Sequence, residues 1–198
     1  MDLRRISLVL AASAVLLASC TAAPAPTTPD AAAPDSTTAT TGDVLADAGV
    51  AGLSATEAIE HLDASTDARP LPFRASVTGT ELVLQAADAE PVTMAVSEDR
   101  FYLSVAPYRT RTHECFNHSL ATCQGELVGE QVHVTISGDD GTVLVDTDAT
   151  TYTNGFVGFW LPRGIGATVT VTAGSDTGTV DIRTDDDSPT CLTTLQLG

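Results

Sequence analysis

The cysteines are where this chain can do chemistry, and their surroundings sort them into two kinds. Cys20 closes the run Leu17-Ala18-Ser19-Cys20, which follows the basic Arg4 and Arg5 and the apolar stretch from Ile6 to Ala18. That pattern is a bacterial export signal ending in a lipobox, so residues 1–19 read as a lipoprotein signal peptide and Cys20 as its lipidation site. The apolar stretch is shorter than the roughly 20 residues a helix needs to span a bilayer. The chain is therefore expected at the cell membrane, lipid-anchored and facing the extracytoplasmic side, with the membrane a partner through the anchor alone.

Cys115, Cys123 and Cys191 remain, an odd number for an oxidising compartment, where one disulfide would leave a thiol over. Two histidines stand close: His113, Cys115, His118 and Cys123 all fall within eleven residues. Soft thiolates beside imidazoles select Cu(I) or Zn(II). The CxxC pairs of zinc ribbons and fingers are missing, and three thiolates form a trigonal set suited to a d¹⁰ Cu(I) ion, whereas zinc would take a fourth ligand such as His118. His113 precedes Glu114-Cys115, as a further ligand or as a group that lowers the thiol's pKa from about 8.5. A second arrangement is open to the same residues, a structural Cys115–Cys123 disulfide with Cys191 buried and inert. His133 alternates with Val132, Val134 and Ile136 and so belongs to the solvent face of a strand. Met94 is the only methionine beyond the signal, which excludes a methionine-rich copper site.

Composition narrows the alternatives. A formal net charge of −17 excludes nucleic acid as a partner. No nucleophile elbow, phosphate loop, dinucleotide fingerprint or zinc-protease motif occurs, so no turnover enzyme is expected. Redox chemistry is what remains: two thiolates can each give one electron to Cu(II), closing a disulfide and leaving Cu(I). Cys115 and Cys123, nearest in sequence, are the expected pair. The chain reads as a copper-binding protein or, alternatively, as a thiol–disulfide partner or a β-sandwich interaction module with a structural disulfide.

The elements that must position these side chains begin after a tether, residues 20–42, nearly all Ala, Thr, Pro, Asp and Ser and unable to bury enough apolar surface to offset the entropy of ordering. Residues 43–111 follow as a helix and strand region. Asp43 to Ala64 predicts two short helices broken near Gly49 to Leu53, with Ser54 and Glu57 as a capping box. Strands are predicted at 73–78, 81–86, 92–96 and 100–105. Residues 112–198 are read as a C-terminal β copper-binding domain with strands at 132–136, 142–146, 155–161, 168–172 and 179–183, spaced as in a β-sandwich, and a final strand from Cys191. His113 to Glu126 lacks alternation and reads as a loop or short helix. The fold class is α+β: short N-terminal helices and a small strand region, then a β-sandwich-like domain.

Three motifs in order, THECFNHSLATCQGEL (112–127), TYTNGFVGFWLPRG (151–164) and TCLTTLQL (190–197), closely resemble the CueP family of periplasmic copper-binding proteins. The likeness runs from about Glu57 to the C-terminus, with the three cysteines at the family's spacing. The resemblance implies copper resistance and homeostasis in the cell envelope, Cu(I) held by the cysteines, reduction of Cu(II), delivery to an envelope Cu,Zn superoxide dismutase, a thiol reductase that resets the thiols, and a homodimer. The lipobox is a departure from the soluble periplasmic relatives.

Overall fold

The structure, a computed structural model, describes Thr41–Gly198; the signal peptide, Cys20 and nearly all of the tether lie outside the described residues. Helix α1 (Thr41–Asp47) and helix α2 (Ala55–Asp63) are separated by Gly49 and Gly52, whose φ angles of 70° and 82° suit glycine and end the first helix. Ser54 starts α2 through the expected capping box, its N–H donating to Glu57 Oε2 at 2.9 Å while Glu57 N donates to Ser54 Oγ. The buried face of α2 carries Ala55, Ala58, Ile59 and Leu62, and also the carboxylate of Asp63.

Eleven strands follow among the described residues: β1 (Arg74–Val77), β2 (Glu81–Gln85), β3 (Val92–Ala95), β4 (Arg100–Val105), β5 (His118–Ser119), β6 (Gln131–Gly138), β7 (Val143–Thr150), β8 (Val157–Pro162), β9 (Gly166–Ala173), β10 (Asp176–Arg183) and β11 (Cys191–Leu192). They form three sheets, ordered β3-β2-β1-β5, β10-β9-β6-β7 and β11-β4-β8. The helices and the first sheet share one core, built around Ile59, Leu82 and Leu84. The second and third sheets share another, around Phe101, Val134, Val169 and Leu195. A small helical region with a β-rich remainder is thus the observed architecture.

Strand pairing crosses the expected junction at 111/112. β5 pairs with β1 in the N-terminal sheet, and β4 pairs antiparallel with β8 and parallel with β11. Hydrogen-bonded sheets therefore cross that position in both directions, and the described residues all belong to one compact unit. Local patterning marks strands but carries no record of which distant strand completes a sheet. The last strand is also shorter than expected: after Leu192 only the isolated Tyr108–Gln196 bridge continues the pairing.

Candidate metal centre

A third, small cluster lies where the sheets meet, with Cys123, Cys191, Phe156 and Ala106 buried and Cys115 packed against them. Each sulfur is brought in by a different device. Cys115 sits on the irregular segment after β4, which is tied down twice: Thr112 Oγ1 donates to Thr193 O at 2.6 Å, and the Glu126 carboxylate accepts from Arg109 N at 2.6 Å, Thr110 N and Thr110 Oγ1. Cys123 follows a tight turn out of β5, where its N–H donates to Ser119 O at 3.0 Å. Cys191 opens β11, and its N–H and that of Thr190 both donate to Phe116 O. The turn 152–156 closes against this region where Gly155, at φ 78°, meets Gly125; a Cβ on Gly125 would sit 2.6 Å from Gly155 O. Only glycine permits that approach.

The result is a set of three free thiols. Cys115 Sγ and Cys123 Sγ are 3.4 Å apart, and Cys191 Sγ is 3.6 Å from His118 Nδ1. Potential ligand atoms group within 4.8 Å of one another in two triads, His113–Cys115–Cys123 and His118–Cys123–Cys191. Each sulfur is thus joined to an imidazole, and Cys123 belongs to both triads. Hydrogen bonds from Cys115 and Cys191, opposed by burial and aided by His118, hold the Cys123 thiol well below its ordinary pKa. Its neighbours Cys115 and Cys123 and its own burial push the Cys191 thiol up. The opposite directions of the two shifts follow from sulfurs that share one buried cluster.

His118, expected on sequence grounds as a candidate ligand near the cysteines, is fully buried. Its Nε2 donates to Asp63 Oδ1 at 2.9 Å, with both side chains inaccessible to solvent. Burial opposes its charge, but the Asp63 carboxylate outweighs that and holds the imidazole pKa well above 6.5; the same pairing keeps Asp63, also against burial, below the ordinary carboxylate range. Asp63 is further held by Tyr102 Oη (2.6 Å), Ser104 Oγ (3.0 Å) and Asn154 Nδ2 (2.7 Å), all donating to it. With Nε2 committed to Asp63, Nδ1 is the nitrogen presented to the sulfurs, which is the carboxylate–histidine arrangement that fixes a ligand's tautomer in metal sites. Thr190 completes the clamp, its Oγ1 accepting from His118 N and donating to Val77 O.

His113 is different. Among the described residues, its Nε2 is the one buried side-chain nitrogen or oxygen with no hydrogen-bond partner, and the residue belongs to the first triad. A buried polar atom left unpaired needs an explanation, and a metal ion beside Cys115 and Cys123 supplies one. A cleft of about 490 Å³ has Leu103, Ile182, Pro189, Cys115 and Cys191 among its wall residues.

All five expected site residues thus converge. His133, by contrast, lies on the exposed face of β6, between Asp146 and Asp148 at 2.9 and 2.8 Å. Asp63, Tyr102, Ser104, Asn154 and Thr190 join the site without having been expected there from the sequence. Asp63 did carry a signal: a carboxylate four residues after Ile59, on the apolar face of an amphipathic helix, is buried against expectation and must be paired.

A family profile described as "Periplasmic copper-binding protein CueP" matches residues 57–196. A solved structure described as "Crystal Structure of S.CueP" is 42% identical, aligned over 81% of this chain and 99% of its own, with a TM-score of 0.77. No curated protein matches the chain. Among the described residues, no helix is long and apolar enough to cross a membrane.

Proposed function

Because the chain belongs to the CueP family of periplasmic copper-binding proteins, we propose that it captures copper as Cu(I) on Cys115, Cys123 and Cys191, with His118 and His113 as the nitrogen donors. The observation that carries this reading is the gathering of three free thiols and two imidazoles into overlapping triads in a buried cluster, with His118 oriented by Asp63. Thiolate and imidazole donors in a small, largely apolar enclosure suit Cu(I). The protein is not a turnover enzyme in this reading. It reduces Cu(II) stoichiometrically: the Cys115 and Cys123 thiols give one electron each to two Cu(II) ions, two protons leave, an S–S bond forms and two Cu(I) ions result. The two sulfurs, 3.4 Å apart, need to approach by little more than an ångström to reach the roughly 2.05 Å of a disulfide. Lipid on Cys20 would hold the protein at the outer face of the membrane, where it protects against copper and passes the ion to an envelope cuproenzyme such as Cu,Zn superoxide dismutase, with a thiol reductase resetting the oxidised pair.

The test is to add Cu(II) to fully reduced protein under anaerobic conditions, trapping Cu(I) with a colorimetric chelator and counting remaining thiols. The reading expects one Cu(I) for each thiol lost, with the disulfide mapped to Cys115 and Cys123. Thiol loss with no Cu(I), or a Cys115–Cys123 disulfide formed equally without copper, would instead support a thiol–disulfide partner or a structural bridge.

A further inference from the structure

We propose that the cluster contains two copper stations sharing Cys123: an outer one on His113, Cys115 and Cys123 that receives the ion, and an inner one on His118, Cys123 and Cys191 that retains it. This rests on the Cu(I)-binding reading above and adds a division of labour within it.

Three observations carry the division. The ligand atoms fall into two triads, each with two sulfurs and one nitrogen, and only Cys123 is common to both. A soft d¹⁰ ion bonded at about 2.0–2.3 Å to three donors keeps them about 3.5–4.0 Å apart, so each triad, with its ligand atoms within 4.8 Å of one another, can close on an ion with a contraction of at most about an ångström. The triads also differ in access. Cys115 and His113 are half-buried, whereas His118, Cys123 and Cys191 are 0%, 8% and 3% exposed. The outer triad is therefore the more accessible to an ion arriving from solvent, although Cys191 shares the wall of the cleft that Cys115 lines. Finally, the two imidazoles are prepared differently. His118 is clamped through Nε2 by Asp63 and through its backbone by Thr190, with Nδ1 toward Cys191 at 3.6 Å. His113 has no such clamp, and its buried Nε2 is without a partner. A rigid, preorganised ligand favours retention, and an unclamped one favours exchange.

Passage between stations is a ligand exchange with no change of oxidation state. Copper keeps its bond to Cys123 Sγ throughout, the bonds to His113 and Cys115 break, and bonds to Cys191 Sγ and His118 Nδ1 form. Cys191 and His118 each give up one proton as the ion arrives; the freed Cys115 thiolate takes one and solvent takes the other. When copper is abundant, the Cys123 thiolate bridges two ions.

The experiment is an anaerobic Cu(I) titration of the reduced mature chain carrying Cys20→Ala, read by competition with a chromogenic Cu(I) chelator, alongside His113→Ala, Cys115→Ser, Cys191→Ser and Cys123→Ser. Two equivalents should bind to the parent in steps at least tenfold apart in affinity. His113→Ala and Cys115→Ser, at half-buried positions, should lose the weaker step and keep the tighter one. Cys191→Ser should lose the tighter and keep the weaker, and Cys123→Ser should lose both. A single equivalent in the parent, weakened in every variant, would overturn the two stations and leave copper binding intact. No Cu(I) binding by the parent would fail the copper reading itself and the stations with it.

Discussion

Replacing Asp63 with Asn keeps the shape of the side chain and removes the charge that holds His118. The Asp63 carboxylate accepts from four groups, His118 Nε2 at 2.9 Å, Tyr102 Oη at 2.6 Å, Ser104 Oγ at 3.0 Å and Asn154 Nδ2 at 2.7 Å, inside a region with no solvent access. An amide offers one acceptor oxygen and turns an NH₂ donor toward groups that are themselves donors, while the imidazolium loses its counter-charge. Breaking a buried ion pair by removing one partner costs about 3–5 kcal/mol. At roughly 2–4 °C per kcal/mol for a domain of this size, the reduced, copper-free protein should melt about 6–20 °C lower. The pH of the measurement matters. His118, whose folded pKa is raised, contributes fully below its unfolded value near 6.5 and loses that contribution as pH rises through the folded one; Asp63, whose folded pKa is lowered, contributes fully above about 3.9 and loses it as pH falls. Both are whole between about pH 4 and 6.5, where the difference between variant and parent should be largest. Loss of an outer-shell partner of a ligating histidine should also weaken Cu(I) binding about 10–100-fold in the chelator competition. Asp67→Asn, at an exposed position of the following loop, is the control and should shift stability by no more than about 0.5 kcal/mol. An Asp63→Asn protein with parental melting temperature and Cu(I) affinity would refute the clamp.

Other consequences follow from the same geometry. Cys191→Ser should weaken Cu(I) retention by more than the roughly 10–100-fold expected of an outer-shell loss while sparing Cu(II) reduction, whereas Cys115→Ser should abolish reduction; a colorimetric reduction assay on each variant decides, and equal loss in both would place Cys191 in the reducing pair. Glu126, which gathers Arg109, Thr110 and Arg111 ahead of the cysteine segment, has its carboxyl pKa lowered to about 2, chiefly by the Thr110 hydroxyl and backbone. Its contribution is whole above the unfolded value of about 4.3 and disappears as pH falls towards 2, so Glu126→Gln should destabilise the protein at pH 6 and have little effect near pH 2, as read by denaturant titration at both. Cys20→Ala should release the protein from membranes into the soluble fraction with its copper binding unchanged, and a variant that stayed membrane-bound would contradict the lipobox reading.

What could be read in the sequence was what short-range physics specifies. The Ser54–Glu57 capping box and the glycine break before it are local, and the structure has both. Alternation located β1 to β4 and β6 to β10 to within a few residues, and Cys115, His113, His118 and Cys123 stand out by crowding alone. The clamp on His118 could not be read in that way. Asp63 and His118 are 55 residues apart, and their meeting depends on α2 packing over a sheet that β5 joins at its edge. His118 did carry an unused sign, since it alternates with the fully buried Leu120 and so points inward as Leu120 does. The sheet that crosses 111/112 was illegible for the related reason that the parallel pairing of β11 with β4 is invisible to local pattern. Asn154 lies in the turn before β8, yet its side chain is buried and donates to Asp63.

The central claim, that Cys115, Cys123 and Cys191 hold Cu(I), is tested most directly by counting reactive thiols. The Cys20→Ala protein, reduced and anaerobic, is treated with a chromogenic thiol reagent with and without excess Cu(I), and the modified cysteines are mapped by mass. Given time for local opening to expose the buried Cys123 and Cys191, three thiols should react in the copper-free protein, and all three should be protected once Cu(I) is bound. Full reactivity of all three in the presence of Cu(I), or a Cys115–Cys123 disulfide that persists unchanged by reduction and copper, would contradict it.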